Sequence, residues 1–218
     1  MRKILSVLIV FGVAFCASSC KGDIDLEMYL SELRQSVYTF EDENFSAKAY
    51  FEEREDPYIN DGFVGSKKKF FVFKIDEYKT ALDSAYIILK INGTEAKKDL
   101  EYSPLNGKFT CNIELATIED LDCVEVTLVS RGEQYNLVMQ KSLFEKQISH
   151  KEALKSVSKS HGEEIEKMLG GGSGGIESRV RILSENNRVY YYVSITSKGG
   201  QTLAFLVDGA TAKILAKK

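Results

Sequence analysis

Polarity along the chain changes character three times. Residues 4–19 are almost wholly apolar, residues 40–143 place hydrophobic side chains at every second position, and the stretch after Ile148 turns helical before returning to strands. In the middle regime Phe45, Ala47, Ala49 and Phe51 alternate with Ser46, Lys48, Tyr50 and Glu52, the period of a half-buried strand. Further strand patterns cover 70–75, 85–91, 95–102, 108–115, 123–130 and 134–141. Turn signals separate them: Asp56-Pro57, Asn60-Asp61-Gly62, Asn92-Gly93, Pro104-Leu105-Asn106-Gly107 and Arg131-Gly132. Ahead of this regime Leu26, Leu30, Leu33 and Val37 recur at spacings of three and four, which predicts a short helix. Behind it Ile148, Ala153, Leu154 and Val157 share a helical face that starts after Ser149, with Glu152 completing a capping box. Gly162 ends or breaks that helix, 163–169 makes a second one, and Gly170-Gly171-Gly172-Ser173-Gly174-Gly175 is a flexible connector. Strands are then predicted over 176–183, 188–196, 201–207 and 212–215, with turns at Asn186-Asn187 and Gly199-Gly200.

About seven short strands without a long helix among them suit an antiparallel β-sandwich of immunoglobulin-like architecture. The chain has no tryptophan, so the Cys–Trp–Cys hallmark of antibody domains is absent. The predicted fold class is mainly β with an α+β C-terminal part. The predicted divisions are 1–19 as an export signal, 20–38 as a tether with a short helix, 39–146 as the sandwich, and 147–218 as a small helix-on-antiparallel-sheet domain.

The first twenty residues set the compartment. Arg2 and Lys3 precede the apolar run, and the small residues Ala17, Ser18 and Ser19 lead to Cys20, the three-part layout of an export signal. The run is shorter than the ~20 residues a spanning helix needs. Small residues before a cysteine resemble the lipobox of bacterial lipoproteins, which implies that Cys20 carries a lipid and becomes the first residue after cleavage. The expected location is then the extracytoplasmic face of a cell membrane, with the membrane as a partner through the lipid on Cys20. Without Arg2 and Lys3 the chain has 27 basic and 32 acidic residues, a net charge near -5 with His neutral, and no basic excess that would suit nucleic acid. Export permits a disulfide between Cys111 and Cys123, but the alternation places Cys111 on the inward face of its strand and Cys123 on the outward face of the next. Two free thiols are therefore expected, Cys111 acting as a small buried hydrophobe.

The C-terminal pattern resembles a known family. A helix, then Arg188-Val189-Tyr190-Tyr191-Tyr192-Val193-Ser194-Ile195, then a Gly turn, then Leu203-Ala204-Phe205-Leu206-Val207-Asp208 and Thr211-Ala212-Lys213-Ile214-Leu215 looks like a PepSY domain over 147–216. Ala212 stands where that family has Gly, and Gly209 where it has Ala, which leaves open where the turn carries its positive backbone angle. Lipid anchor, sandwich and PepSY-like tail together resemble uncharacterised lipoproteins of Gram-positive bacteria. The resemblance implies restraint or sensing of extracytoplasmic peptidases, or contact with another envelope protein.

Candidate chemistry is sparse, and neither catalytic residues nor a cofactor are expected. Gly171-Gly172-Ser173-Gly174-Gly175 formally fits the nucleophile elbow, and Gly170, Gly172 and Gly175 the dinucleotide fingerprint, but both motifs need a strand before them and a helix after. Here the order is reversed. His150 and His161 are eleven residues apart, about 16 Å along a helix, too far for one metal ion. The acidic runs Glu41-Asp42-Glu43, Glu52-Glu53-Arg54-Glu55-Asp56 and Glu119-Asp120-Leu121-Asp122 read as solvated loop faces, the last two with weak calcium binding as the alternative. Lys67-Lys68-Lys69 reads as a charged sheet edge, or as a contact for anionic wall polymer or headgroups. Tyr190 and Tyr192 lie on one strand face and Tyr191 on the other, so one set remains beside whichever packs under the helix.

Overall fold

The structure, a computed structural model, describes residues 24–218 other than 80, 81, 83, 92, 119, 143, 145 and 171–174. Cys20, the export signal, Glu119 and the central glycines of the connector therefore lie outside the described residues. A 3-10 turn, Leu26–Tyr29, leads into β1 (Leu30–Glu41), β2 (Phe45–Glu55), β3 (Lys67–Tyr78), β4 (Tyr86–Ile91) and β5 (Thr94–Asp99). Next come β6 (Glu101–Ser103), β7 (Lys108–Leu115), β8 (Cys123–Ser130) and β9 (Glu133–Lys141). Helix α1 (His150–Leu169) precedes β10 (Ile176–Glu185), β11 (Arg188–Ser197), β12 (Thr202–Asp208) and β13 (Ile214–Lys217). The protein is thus mainly β, and its strands pair antiparallel except for the parallel pair β1–β10.

Two hydrophobic cores share one strand. The first lies inside a barrel-like curl in which β1, β2, β3 and β7 face β9, β8, β4 and β5. Its odd-numbered β2 positions meet β3 in the pairs Phe51↔Phe71, Ala49↔Phe73 and Ala47↔Ile75, so a ring packs on a ring in the first and an alanine sits opposite a large side chain in the other two. All six are essentially inaccessible. Tyr38 joins them edge-on to Phe51 at 5.5 Å and donates its hydroxyl to the Leu121 carbonyl at 2.9 Å. Burial pushes its pKa up to about 12. The second core lies under α1, where Ala153, Leu154, Val157, Ile165 and Met168 pack on Val180, Ile182, Tyr191, Val193 and Phe205 of the sheet β10–β11–β12–β13. Leu30 and Leu33 of β1 belong to this second core, whereas Tyr38 belongs to the first.

That division explains a correction. The helix expected over 26–37 is a single 3-10 turn followed by a strand, and the boundary drawn between 38 and 39 falls inside β1. The three-residue step from Leu30 to Leu33 mimics a helix because the β1–β10 register shifts between Leu30 and Glu32. A β-bulge adds one residue to the period of two. A second shift, against β2, falls between Arg34 and Ser36. In a regular strand Leu33 and Tyr38, five residues apart, would face opposite sides. With Gln35 bulged out they pair with Glu53 and Ala49, and so share a face.

The other signals translate locally. Ser149 caps α1 with the reciprocal Glu152 bonds of a capping box. The break expected at Gly162 falls one residue earlier, at His161 (φ -131°, ψ 22°), whose non-helical backbone divides α1 into two helical segments across a kink. Arg131-Gly132 and Asn186-Asn187 form two-residue turns with φ positive at both positions, the form that suits strand twist. Cys111 is buried, its thiol pushed up to about 12 by burial, Cys123 is exposed, and both are free.

The β12–β13 corner settles the open question of the positive angle. Ala212 itself takes φ +59°, a conformation costing a non-glycine residue about 1 kcal/mol. Gly209 is needed for space instead, since a Cβ there would meet Val189 Cγ1 at 2.6 Å and Val189 O at 2.7 Å. Asp208 organises the corner, its Oδ1 accepting from Ala210 N, Thr211 N and Thr211 Oγ1. These bonds, led by the Thr211 hydroxyl, hold its carboxyl below the usual range. Its contribution to stability is therefore present above the unfolded aspartate pKa of about 3.9 and lost as pH falls through the lower folded value. Urea unfolding should show Ala212→Gly more stable by roughly 0.5 kcal/mol, and Gly209→Ala less stable by about 2 kcal/mol or more. Asp208→Asn should be destabilising at pH 7, with the difference from wild type closing as the medium is acidified below pH 4.

Candidate functional site

The strand shared by the two cores also makes a cavity. On the edge of β1 away from β2, Leu30 to Arg34 pair with β10, and the ladder ends at Arg34↔Arg181. On the same edge Tyr38 and Thr39 pair with Lys141 and Gln140 of β9. Strands β9 and β10 thus leave β1 in different directions, and Gln35, Ser36 and Val37 occupy the crotch of the fork. Gln35 pairs in neither flanking ladder, because it is also the residue skipped in the register with β2. On the other arm, β10 continues from Ile182 to Glu185 paired with β11 on one edge, and among the described residues no strand pairs with it on the edge toward the fork.

The cavity has a volume of about 490 Å³, within the range of small-molecule and peptide pockets. Its walls mix apolar groups (Leu33, Val37, Ile118, Phe144, Ile148, Ile182) with polar ones (Gln35, Ser36, Ser142, Gln147). The charged groups at its margin are Arg34, Asp120, Lys141 and His150, and Lys141 bonds Asp120. Several walls are rigid. Tyr191 is held by its hydroxyl, which donates to the Ile148 carbonyl at 2.6 Å and accepts from Gln147 Nε2 at 3.2 Å. Arg34 lies flat over the Tyr50 ring at 3.6 Å and donates Nη2 to Glu52 at 3.2 Å. Its Nε is buried without a hydrogen-bond partner.

The outer face of the sheet beyond the fork carries a stacked ladder of charge. Arg181 binds Glu32 through Nε and Nη2, Arg54 bonds Glu52 at 2.5 Å, and Arg54 covers Phe70 at 4.3 Å. Glu32 and Glu52 are buried by these guanidinium groups, which satisfy their oxygens. The acidic run expected as a loop face is thus part of β2, with Glu52 and Glu55 buried. Of Lys67-Lys68-Lys69, only Lys69 is flanked by both β2 and β7; Lys67 and Lys68 pair with β2 alone, beyond the end of the β7 ladder, where their side chains meet Glu53 at 3.3 Å and Glu114 at 3.1 Å.

A second feature is the β2–β3 loop, which folds onto β10. Gly62 N–H donates to Glu177 at 3.2 Å, Gly65 N–H to Glu55, and Tyr58 stacks on Arg179 at 4.0 Å. Burial pushes the Glu177 carboxyl upward. The same loop leaves Tyr58, Ile59 and Phe63 exposed.

The remaining predicted positions are scattered. Tyr191 is core, whereas Tyr190 and Tyr192 are half-buried on the opposite face. His161 stacks on Phe205 at 4.8 Å and contacts Glu164 at 3.1 Å, and His150 starts α1 4.0 Å from Glu27. Among the described residues no group of three or more His, Cys, Asp or Glu side chains could hold a metal ion, and no helix is long and apolar enough to cross a membrane. Asp42 serves a local purpose, accepting from Asn44 N and Phe45 N at the β1–β2 turn. The fork residues Gln35, Ser36, Ser142 and Gln147 escaped the sequence reading. Their one signal is Arg34-Gln35-Ser36, three polar residues in succession where a period of two allows one.

The site has a titratable reporter in His150. Burial lowers its pKa, Glu27 works against that by attraction, and Lys151 adds to it by repulsion. A folded pKa below the unfolded value of about 6.5 means that stability is fully present at higher pH and declines as pH falls through that window. An NMR titration should place His150 below 6.5, and Glu27→Gln should lower it further by removing the attraction.

Comparison with known proteins finds no matching family model, no similar curated protein and no similar solved structure.

Proposed function

We propose that this chain is an extracytoplasmic lipoprotein, anchored in a cell membrane through lipid on Cys20, that acts as a non-enzymatic binding or regulatory module with the forked-strand cleft as its binding site. The observation that carries the binding reading is the cleft itself: a cavity of about 490 Å³ where both cores meet, walled by apolar and polar groups. The anchor fits the start of the folded body. Ile24 is already held by Ser158, whose hydroxyl donates to its carbonyl at 2.7 Å. Three residues lie between it and Cys20, a reach of at most about 14 Å, so the anchor would keep the body at the bilayer surface. Each buried methylene of an acyl chain contributes about 0.8 kcal/mol, and two or three chains hold firmly.

Within this proposal 147–218 is a PepSY-like domain, supported by one helix packed on the antiparallel strands β10–β13. The immunoglobulin-like reading of 39–146 is supported by antiparallel layers that close on one core. The PepSY-like reading makes an extracytoplasmic peptidase, restrained or sensed, the leading partner. A structural or adhesive envelope role, binding glycan, wall polymer or protein, is the second reading, and the exposed Tyr58, Ile59 and Phe63 on one loop favour it. Exposed rings of that kind anchor partners.

Two measurements test the proposal. Cys20→Ser expressed in a bacterium should move the protein from the membrane to the soluble extracytoplasmic fraction, and unchanged partitioning would end the lipoprotein reading. A photo-crosslinker at Gln35, used in intact cells, should capture an envelope partner: peptidases support the first reading, and polysaccharide or wall protein the second.

A further inference from the structure

We infer that the β2–β3 loop, residues 56–66, seats on the surface of the same bilayer that the Cys20 lipid enters, with Tyr58, Ile59 and Phe63 in its headgroup layer. This docking rests on the lipoprotein reading and adds to it the face that the body turns to the membrane. Glu55 pairs directly with Lys67, so a hairpin of about two to five residues would join the strands, yet eleven are used. The extra length is held in place. Gly62 N–H donates to Glu177, Gly65 N–H to Glu55 and Phe63 N–H to Asp61 at 2.9 Å, while a Cβ on Gly62 would meet the Gly175 backbone at 2.7 Å. The loop so fixed leaves Ile59 58% and Phe63 63% exposed, with Tyr58 partly covered by Arg179. Two buried carboxylates and a backbone-to-backbone contact thus keep large apolar side chains in water, which is unfavourable until something covers them.

The place where the chain enters the fold selects the bilayer as that cover. The Leu26 carbonyl accepts from Ser178 Oγ at 2.9 Å, and the neighbouring residue of β10, Glu177, takes the Gly62 N–H at 3.2 Å. Entry segment and loop therefore flank the same end of β10, one on each face of the strand. Cys20 lies at most about 14 Å from Ile24, so a lipid on it brings the bilayer to this end of the molecule. Met28, 70% exposed in the entry turn, adds a further apolar side chain there. The charges agree. Lys198, exposed on the β11–β12 turn, donates its N–H to the carbonyl of Gly175 at 3.1 Å and so stands beside Gly62, a cation placed for anionic headgroups. The loop's own acids are engaged, Asp61 with the Phe63 N–H and Asp56 with Lys68 at 3.3 Å. A tyrosine, apolar in its ring and polar at its tip, suits a headgroup layer. Acyl chains on Cys20 already retain the protein, so the loop's contribution is orientation. Gln35 lies five residues along β1 from Leu30, about 16 Å at 3.3 Å per residue, so seating this end holds the cleft clear of the bilayer.

The chain has no tryptophan, so a single introduced indole reports on the loop. Lipidated Phe63→Trp protein in vesicles of equal parts phosphatidylcholine and phosphatidylglycerol should emit to the blue of the unlipidated Cys20→Ser form of the same variant in buffer. Lipids brominated along their acyl chains should quench it, placing the indole about 5–10 Å into the headgroup and acyl boundary. Leu105→Trp, on a fully exposed turn at the opposite end of β3, should keep its emission in water and escape quenching. Both positions are exposed, so neither substitution enters a core. Ile59→Asp added to Phe63→Trp should return the emission toward its value in water. A blue shift that needs no vesicle and grows with protein concentration assigns the loop to a second copy and overturns the docking. So does a photo-crosslinker at Ile59 that labels protein or wall polymer in intact cells instead of lipid. An indole at 63 that stays in water, in a protein whose Cys20→Ser form does leave the membrane, overturns the docking and leaves the anchor standing. Unchanged partitioning of Cys20→Ser removes the anchor, and the docking falls with it.

Discussion

A single strand has to serve two cores, and much of the molecule follows from how it does so. β1 gives Leu30 and Leu33 to the core under the helix and Tyr38 to the core of the barrel-like curl. Leu33 and Tyr38 are five residues apart, so a regular strand would turn one of them to the opposite face. Bulging Gln35 out of the register with β2 returns both sets to one face. The cost is one residue's ladder bonds. The gain is burial of several large side chains, each contributing roughly 1.5–3 kcal/mol.

The fork is a consequence of that bulge. β10 can follow β1 only up to Arg34, and β9 joins only from Tyr38 onward. Extending either ladder through Gln35 would require the strand to be straightened and Tyr38 or Leu33 to leave its core. The cleft therefore persists for a reason unrelated to any ligand, which makes it a stable scaffold for one. Its polar walls are equally constrained: Tyr191 is locked by Ile148 and Gln147, and Arg34 is fixed between Tyr50 and Glu52. A binding surface built on such rigid parts loses little conformational freedom when it is occupied.

Local rules made the strands, the capping box and the two-residue turns legible in the sequence, because each depends on near neighbours. Alternation at Phe45, Ala47, Ala49 and Phe51 marked β2, and Ser149 with Glu152 marked the start of α1. The inward Cys111 and outward Cys123 followed from the same alternation. What failed depended on distant partners. Leu26, Leu30, Leu33 and Val37 have helical spacing, and only pairing with β10 and β2, far along the chain, forces most of that segment to be extended. Glu52 and Glu55 read as solvated because their burial depends on Arg34 and on Gly65 in other segments. Nothing local shows that β7 pairs with β3 from Lys69 onward, which puts that lysine inside the sheet and leaves Lys67 and Lys68 at its margin.

The cleft was illegible for a deeper reason. Its residues are ordinary types, glutamine, serine and lysine, drawn from β1, the end of β9 and the segment before α1. Neither a motif nor a cluster announces them, since they are brought together by strand pairing between distant segments. A bulge in a strand bounded by two diverging ladders opens a cleft between them, and residues of any type can line it. The informative sequence mark is negative: at Arg34-Gln35-Ser36 the alternation lapses within an otherwise well-patterned strand. Where a chain breaks its own period without a glycine or proline to account for it, the register of its neighbours is the place to look for a site.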